Sequence, residues 1–130
     1  MPGTLVLDSE GLSKLYRKDR AVITLVQAAL EENVRVCTTV MTTLEADCER
    51  VHPARIQWAL SRIDVHDVTR PLADRAAALL RDHRLRGHEY AIDVVLAALA
   101  RTVPGPVTVL TSDPEDIGLL CGSAVEVVKV

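Results

Sequence analysis

The stretch Leu5-Val6-Leu7-Asp8-Ser9 decides the fold. Three consecutive apolar residues with no polar alternation suit a strand covered on both faces. The polar pair that stops the run supplies the side-chain acceptor a helix N-terminus needs, so Asp8 or Ser9 caps the helix that follows. The same order returns near the carboxyl end, where Val107-Thr108-Val109-Leu110 runs into Thr111-Ser112-Asp113 and Pro114 opens a helix. A buried strand that passes directly into a helix is half of a β-α unit in a parallel sheet.

Between these two stretches the pattern continues. A helix over about Arg20 to Glu32 places Ile23, Val26 and Leu30 on one face and closes at Asn33. Val34-Arg35-Val36-Cys37 is a short strand, and Val40, Leu44, Cys48 and Val51 mark one face of a helix over about Val40 to His52. Pro53 starts a further helix with Ile56, Ala59, Leu60 and Ile63 apolar. A brief strand at Val65 to Val68 precedes a helix from Pro71 that ends near Gly87. His88 to Arg101 is an alanine-rich amphipathic helix, and Val125 to Val130 is the last strand. The alternation predicts a three-layer α/β/α sandwich around a mostly parallel sheet of about five strands, in one domain over 1–130. Ligands of such folds bind beyond the carboxyl ends of the strands.

Composition narrows the function. With 130 residues and 48% hydrophobic side chains the chain can bury a core without disulfides or a structural metal. It has no Phe, one Trp and two Tyr, so it lacks an aromatic platform for stacking bases. A net charge of −3 excludes a general nucleic-acid coat protein, and any such contact must be local. Cys37, Cys48 and Cys121 form no CxxC pair, which points to neither a disulfide framework nor a zinc site. The N-terminus has no signal-peptide pattern and no apolar run is long enough to span a membrane, so a cytoplasmic location is expected.

The carboxylates carry the chemistry. Asp8 and Asp113 stand at strand carboxyl ends, and Asp116 follows Asp113 by three residues on the first turn of a helix. Ser112-Asp113-Pro114-Glu115-Asp116 is equally a good helix start, so capping explains this segment too. Glu45 flanks the Val40/Leu44/Cys48/Val51 stripe, and Asp93 sits at the edge of the stripe made by Ile92, Val95, Leu96 and Leu99. Either position alone suits a solvated surface acid. Taken together, two strand-end acids and two helix-edge acids with no nearby Lys form an all-oxygen set of the kind hard divalent cations favour.

In this order and spacing, Val-Leu-Asp8-Ser9, Thr-Thr-Leu-Glu45, Ala-Ile-Asp93-Val-Val-Leu-Ala-Ala and Leu-Thr-Ser-Asp113-Pro-Glu-Asp116 resemble a PIN domain. Over essentially the whole chain the resemblance is to the VapC-type ribonuclease toxins of toxin–antitoxin systems. It implies a metal-dependent endoribonuclease in which Asp8, Glu45, Asp93 and Asp113 are catalytic and ligate Mg²⁺ or Mn²⁺, with Asp116 as an accessory acid. It also implies an RNA substrate, a cognate antitoxin and a homodimer. Two positions depart from the pattern. Glu10 stands where many relatives have a small hydroxyl residue, and Ala46-Asp47 stands where a larger apolar residue is common.

Other residues admit two readings each. Thr111 and Ser112 orient Asp113 or simply cap. Lys14, Arg17, Lys18 and Arg20 track an RNA backbone or form a solvated face. Trp58, with Ile56, Leu60 and Ile63, anchors a partner or packs between helices. The four His have no metal-ligand spacing among themselves. A haloacid-dehalogenase-type phosphatase is the rival enzyme, disfavoured because Glu10 replaces the second Asp that chemistry needs and no Lys is placed for it. A non-catalytic partner-binding module is the rival outside enzymes.

Overall fold

The computed structural model describes residues 2–130. Five strands, β1 (Thr4–Leu7), β2 (Arg35–Thr39), β3 (Asp64–His66), β4 (Val107–Thr111) and β5 (Val125–Lys129), form a sheet in the order β3-β2-β1-β4-β5. Every pairing is parallel. The helices are α1 (Ser9–Tyr16), α2 (Arg20–Glu31), α3 (Val40–Ala46), α4 (Pro53–Ser61), α5 (Arg70–His83), α6 (Gly87–Ala100) and α7 (Pro114–Cys121).

The pleat sorts the apolar strand residues between two cores. Leu5, Leu7, Val36 and Leu110 face α1, α2 and α4. Val6, Cys37, Val107 and Val109 face α5, α6 and α7. The three-layer α/β/α sandwich is therefore the observed architecture. The chain travels outward from β1 to β3, then crosses to the other side of β1 to place β4. Since α1 leaves β1 on one face and α7 leaves β4 on the other, the carboxyl ends of β1 and β4 form the crevice where strand order reverses.

Three local expectations are corrected. α3 stops at Ala46 rather than near His52, and Leu44 is 72% exposed instead of lying on a buried stripe. Cys48 and Val51 still pack inward, but from a loop, because Asp47 leaves the helical conformation. Gly87 does not end α5. Arg84 ends it in the left-handed conformation, and Gly87 is the first residue of α6. Finally, α6 is not amphipathic in its second half: Val94 to Ala100 are all buried, because that half lies between α5, α7 and the sheet. An Ala-rich sequence suits this position, since small side chains let three neighbours approach.

Candidate functional site

The crevice between β1 and β4 is built by helix caps. Asp8 follows β1, its backbone N–H donates to the Leu110 carbonyl of β4 at 3.1 Å, and its side chain accepts from the Gly11 N–H at 2.8 Å. That bond caps α1. Gly11 permits the approach: a Cβ there would stand 3.0 Å from the Leu110 carbonyl oxygen, tighter than neighbours ordinarily accept. Asp113 caps α7 in the same way, accepting from the Asp116 N–H at 3.4 Å, and its own N–H donates to the Thr111 hydroxyl at 2.9 Å. Thr111 is fully buried, so the β4 end is fixed from beneath.

Glu45 and Asp93 arrive from the helices flanking the crevice. Glu45 is exposed near the end of α3, whose start is capped by Thr39 and braced by the Thr39–Thr42 hydroxyl pair at 2.9 Å. Asp93 is half-buried on the second turn of α6.

These acids act on one another through their charges. Asp93 is pushed up to about 6, by burial first and then by the charges of Glu45, Asp8, Asp113 and Asp116. Four carboxylates from three other segments thus reach one group. Burial also raises Asp8, against hydrogen bonds from the Gly11 N–H, the Thr111 hydroxyl and the Ser112 and Glu10 amides that pull it down. Asp116 is raised by its hydrogen bond with Asp113 and then by the Asp113 charge. Among the described residues the ion pairs are Arg17–Glu10 and His88–Glu89, and neither involves any of these five acids.

The donor set is all oxygen and strongly anionic, which fits a hard divalent cation. Among the described residues, however, no three His, Cys, Asp or Glu side chains stand close enough together to hold an ion by themselves. Mg²⁺ accepts such a partial set, because it keeps several waters and takes few carboxylates.

The sequence-derived basic cluster lies elsewhere. Lys14 is in the last turn of α1, roughly 9 Å along the helix from Asp8, and Arg17, Lys18 and Arg20 follow beyond the helix end, roughly 12 Å away. Arg17 reaches back to Glu10 at 2.9 Å, so Glu10 is occupied by an ion pair at the rim of the crevice. Trp58 is 56% exposed, which rules out simple packing between helices. It lies with Leu15, Ile23, Val26 and Leu30 along a groove of about 310 Å³ between α1, α2 and α4. The Arg62 guanidinium stacks over the Trp58 ring at 5.1 Å.

Sequence reading missed the buried threonines. Thr38, whose hydroxyl donates to the Leu7 carbonyl at 2.8 Å, Thr39 and Thr42 are all fully buried around the strand ends, as is Thr111, which the sequence did single out. The Thr38-Thr39 pair before a helix was the available signal, hidden by ending the strand at Cys37.

No family model and no curated protein sequence matches the chain. A solved structure does. The chain superposes on one from the crystal structure of VapBC2 from Rickettsia felis bound to a DNA fragment from their promoter, with a TM-score of 0.65, 11% identity and 98% of each chain covered. At that identity the likeness establishes the fold, over the full length of both chains. Among the described residues no helix is long and apolar enough to cross a membrane.

Proposed function

We propose that this chain is a divalent-metal-dependent endoribonuclease and the toxin of a toxin–antitoxin pair. The observation that carries the reading is the convergence of Asp8, Glu45, Asp113 and Asp116 on Asp93, without a paired cation, at the strand-order switch of the sheet. Five carboxylates that repel one another are unfavourable in a structural role and favourable around a cation. The likeness to a chain of a toxin–antitoxin complex supports the same reading.

In this reading Asp8, Glu45, Asp93 and Asp113 are the ligands for Mg²⁺ or Mn²⁺, and Asp116 supports Asp113. When bound, such an ion neutralises the phosphodiester charge and activates water. The protein's part is orientation and proton holding. The Gly11 N–H holds one Asp8 oxygen at the start of α1, and the Thr111 hydroxyl and the Ser112 and Glu10 amides hold the same carboxylate at the crevice. Thr111 holds the Asp113 backbone, and through it the Asp113 carboxylate. The raised Asp93 carboxyl keeps a proton below about pH 6 until positive charge displaces it.

The same reading assigns the Trp58 groove to the antitoxin. Its floor is apolar and its walls carry Lys18, Arg55 and Arg62, so a partner segment with apolar anchors and acidic flanks fits it. A homodimer and a single nuclease domain over 1–130 belong to this proposal.

The test is cleavage of a structured or single-stranded RNA with and without Mg²⁺ or Mn²⁺. Wild type cuts only with the ion, and neither Asp8→Asn nor Asp93→Asn cuts, both remaining folded by circular dichroism. Ion-dependent cleavage by both variants rejects the assignment. A second reading, a non-catalytic partner-binding module, rests on one observation: among the described residues no three donors stand together in the crevice. It predicts an intact groove interaction and no hydrolysis.

A further inference from the structure

The turn between α5 and α6 carries arginines at two positions where the fold favours other residues. Arg84 ends α5 with φ 55 and ψ 44, the left-handed conformation in which Gly or Asn is preferred because a Cβ crowds the following carbonyl. The turn is nonetheless ordered, with the Arg84 N–H donating to the Arg81 carbonyl at 3.2 Å and the Leu85 N–H to the Leu80 carbonyl at 2.9 Å. Arg86 occupies the N-cap position of α6 and makes no side-chain cap bond, where Ser, Thr, Asp or Asn would satisfy an open amide. Its positive charge also stands beside the positive end of the helix dipole, the unfavourable sign.

Neither arginine is used by the fold. Both are exposed, as is Arg81 one turn earlier, and among the described residues none of the three has a carboxylate within ion-pair distance. The acids of the same turn are Asp82 and Glu89, and Glu89 is instead 3.7 Å from His88. Residues that break a local rule without a structural return are candidates for function. Their place in the fold supplies the function. Arg86 precedes Asp93 by seven residues on the same helix, roughly 10 Å along its axis. A cationic turn therefore stands above an anionic crevice, in a chain whose net charge is −3.

We propose that Arg84 and Arg86 bind backbone phosphates of the substrate strand that flank the scissile phosphate, drawing a polyanion over a site that would otherwise repel it. This rests on the ribonuclease reading. Lys18 in the Lys14–Arg20 segment is left-handed as well, with φ 58, so what favours the α5–α6 turn is the second cation at the uncapped start of the Asp93 helix.

The experiment uses the full chain and a fluorescein-labelled single-stranded RNA of about 20 nucleotides, with binding read in EDTA and cleavage in Mg²⁺. The variant is Arg84→Gly/Arg86→Ser, which installs the residues the local backbone prefers. The expected result is a higher Tm together with about tenfold weaker RNA binding by anisotropy. The salt slope of log K should fall by about 1.4, the share of two phosphate contacts on a single strand. In cleavage, KM rises while kcat holds, and Mn²⁺ binding by calorimetry is unchanged. The control Arg35→Gln, at the opposite end of the strands, moves none of these. Wild-type binding and cleavage with no change in the variant overturns this proposal alone. A wild type that neither binds nor cleaves RNA overturns the ribonuclease reading and this proposal with it. Loss of affinity in Lys18→Gln/Arg20→Gln instead returns the contact to the α1–α2 corner and overturns the assignment to the turn.

Discussion

The acids at the strand ends and the acids on the helices reach the same crevice by different physics. Asp8 and Asp113 are each tied to backbone N–H groups, capping α1 and α7. Among the described residues the Glu45 and Asp93 side chains have no hydrogen-bond partner, and Asp93 sits partly buried against the charge of its neighbours. A strand-end acid thus serves the fold even when the site is idle, whereas Asp93 weakens the fold unless a cation is present and exposed Glu45 leaves it unchanged. Asp93 is therefore the clearer evidence for a ligand, although it looked the more ordinary in the sequence.

The comparison breaks most sharply at Glu45. Glu45→Gln should reduce ion-dependent RNA cleavage by at least about 100-fold, close to 2.7 kcal/mol in the barrier, and leave Tm unchanged because nothing in the fold uses this carboxylate. A residual rate near wild type would remove Glu45 from the site.

Stability should move in opposite directions for the two classes. Asp113→Ala removes the α7 cap and should lower stability by about 1 kcal/mol in chemical denaturation. Asp93→Asn should raise the stability of the metal-free protein by about 1 kcal/mol at pH 8, a figure already reduced for solvent screening. The sign follows from the direction of the shift. Asp93 holds its proton more tightly folded, at about 6, than unfolded, near 3.8, so wild-type stability is lost as pH rises through that window. The advantage of Asp93→Asn should accordingly vanish near pH 4. Equal destabilisation by both substitutions would erase the distinction.

Trp58→Ala provides the smallest effect. With the ring 56% exposed and stacked only under Arg62, stability should change by no more than about 0.5 kcal/mol and RNA cleavage not at all. An effect confined to partner binding would separate the groove from the crevice; a loss of cleavage would join them.

The sheet and its helices were legible because short apolar runs ending in cap residues repeat along the chain, at Asp8 and Asp113 above all. Asp8, Asp113 and Asp116 were legible as candidates for the same reason and Asp93 as the edge of a buried stripe, whereas the stripe that singled out Glu45 is not buried at Leu44. What stayed hidden was set by tertiary packing. Leu44 fits a helical stripe, yet α3 ends two residues later and leaves it in solvent. Gly87 has the chemistry of a helix terminator, but Arg84 takes the left-handed position and Gly87 begins α6. The even burial of Val94 to Ala100 depends on α5 and α7 closing around α6, which no local periodicity announces. The buried threonines at the strand ends were invisible for a related reason: their hydroxyls bond partners across the sheet or within a cap, as Thr38 does to Leu7.

The central claim is that the five carboxylates exist to hold a divalent ion. Calorimetric titration of Mn²⁺ into the wild type and into Asp93→Asn at pH 7.5, repeated for the wild type at pH 5.5, tests it directly. Binding by the wild type at pH 7.5, weakened at pH 5.5 where protons compete for Asp93 and absent in Asp93→Asn, is the predicted result. Equal binding by the folded Asp93→Asn protein, or none by the wild type at millimolar Mn²⁺, would contradict it.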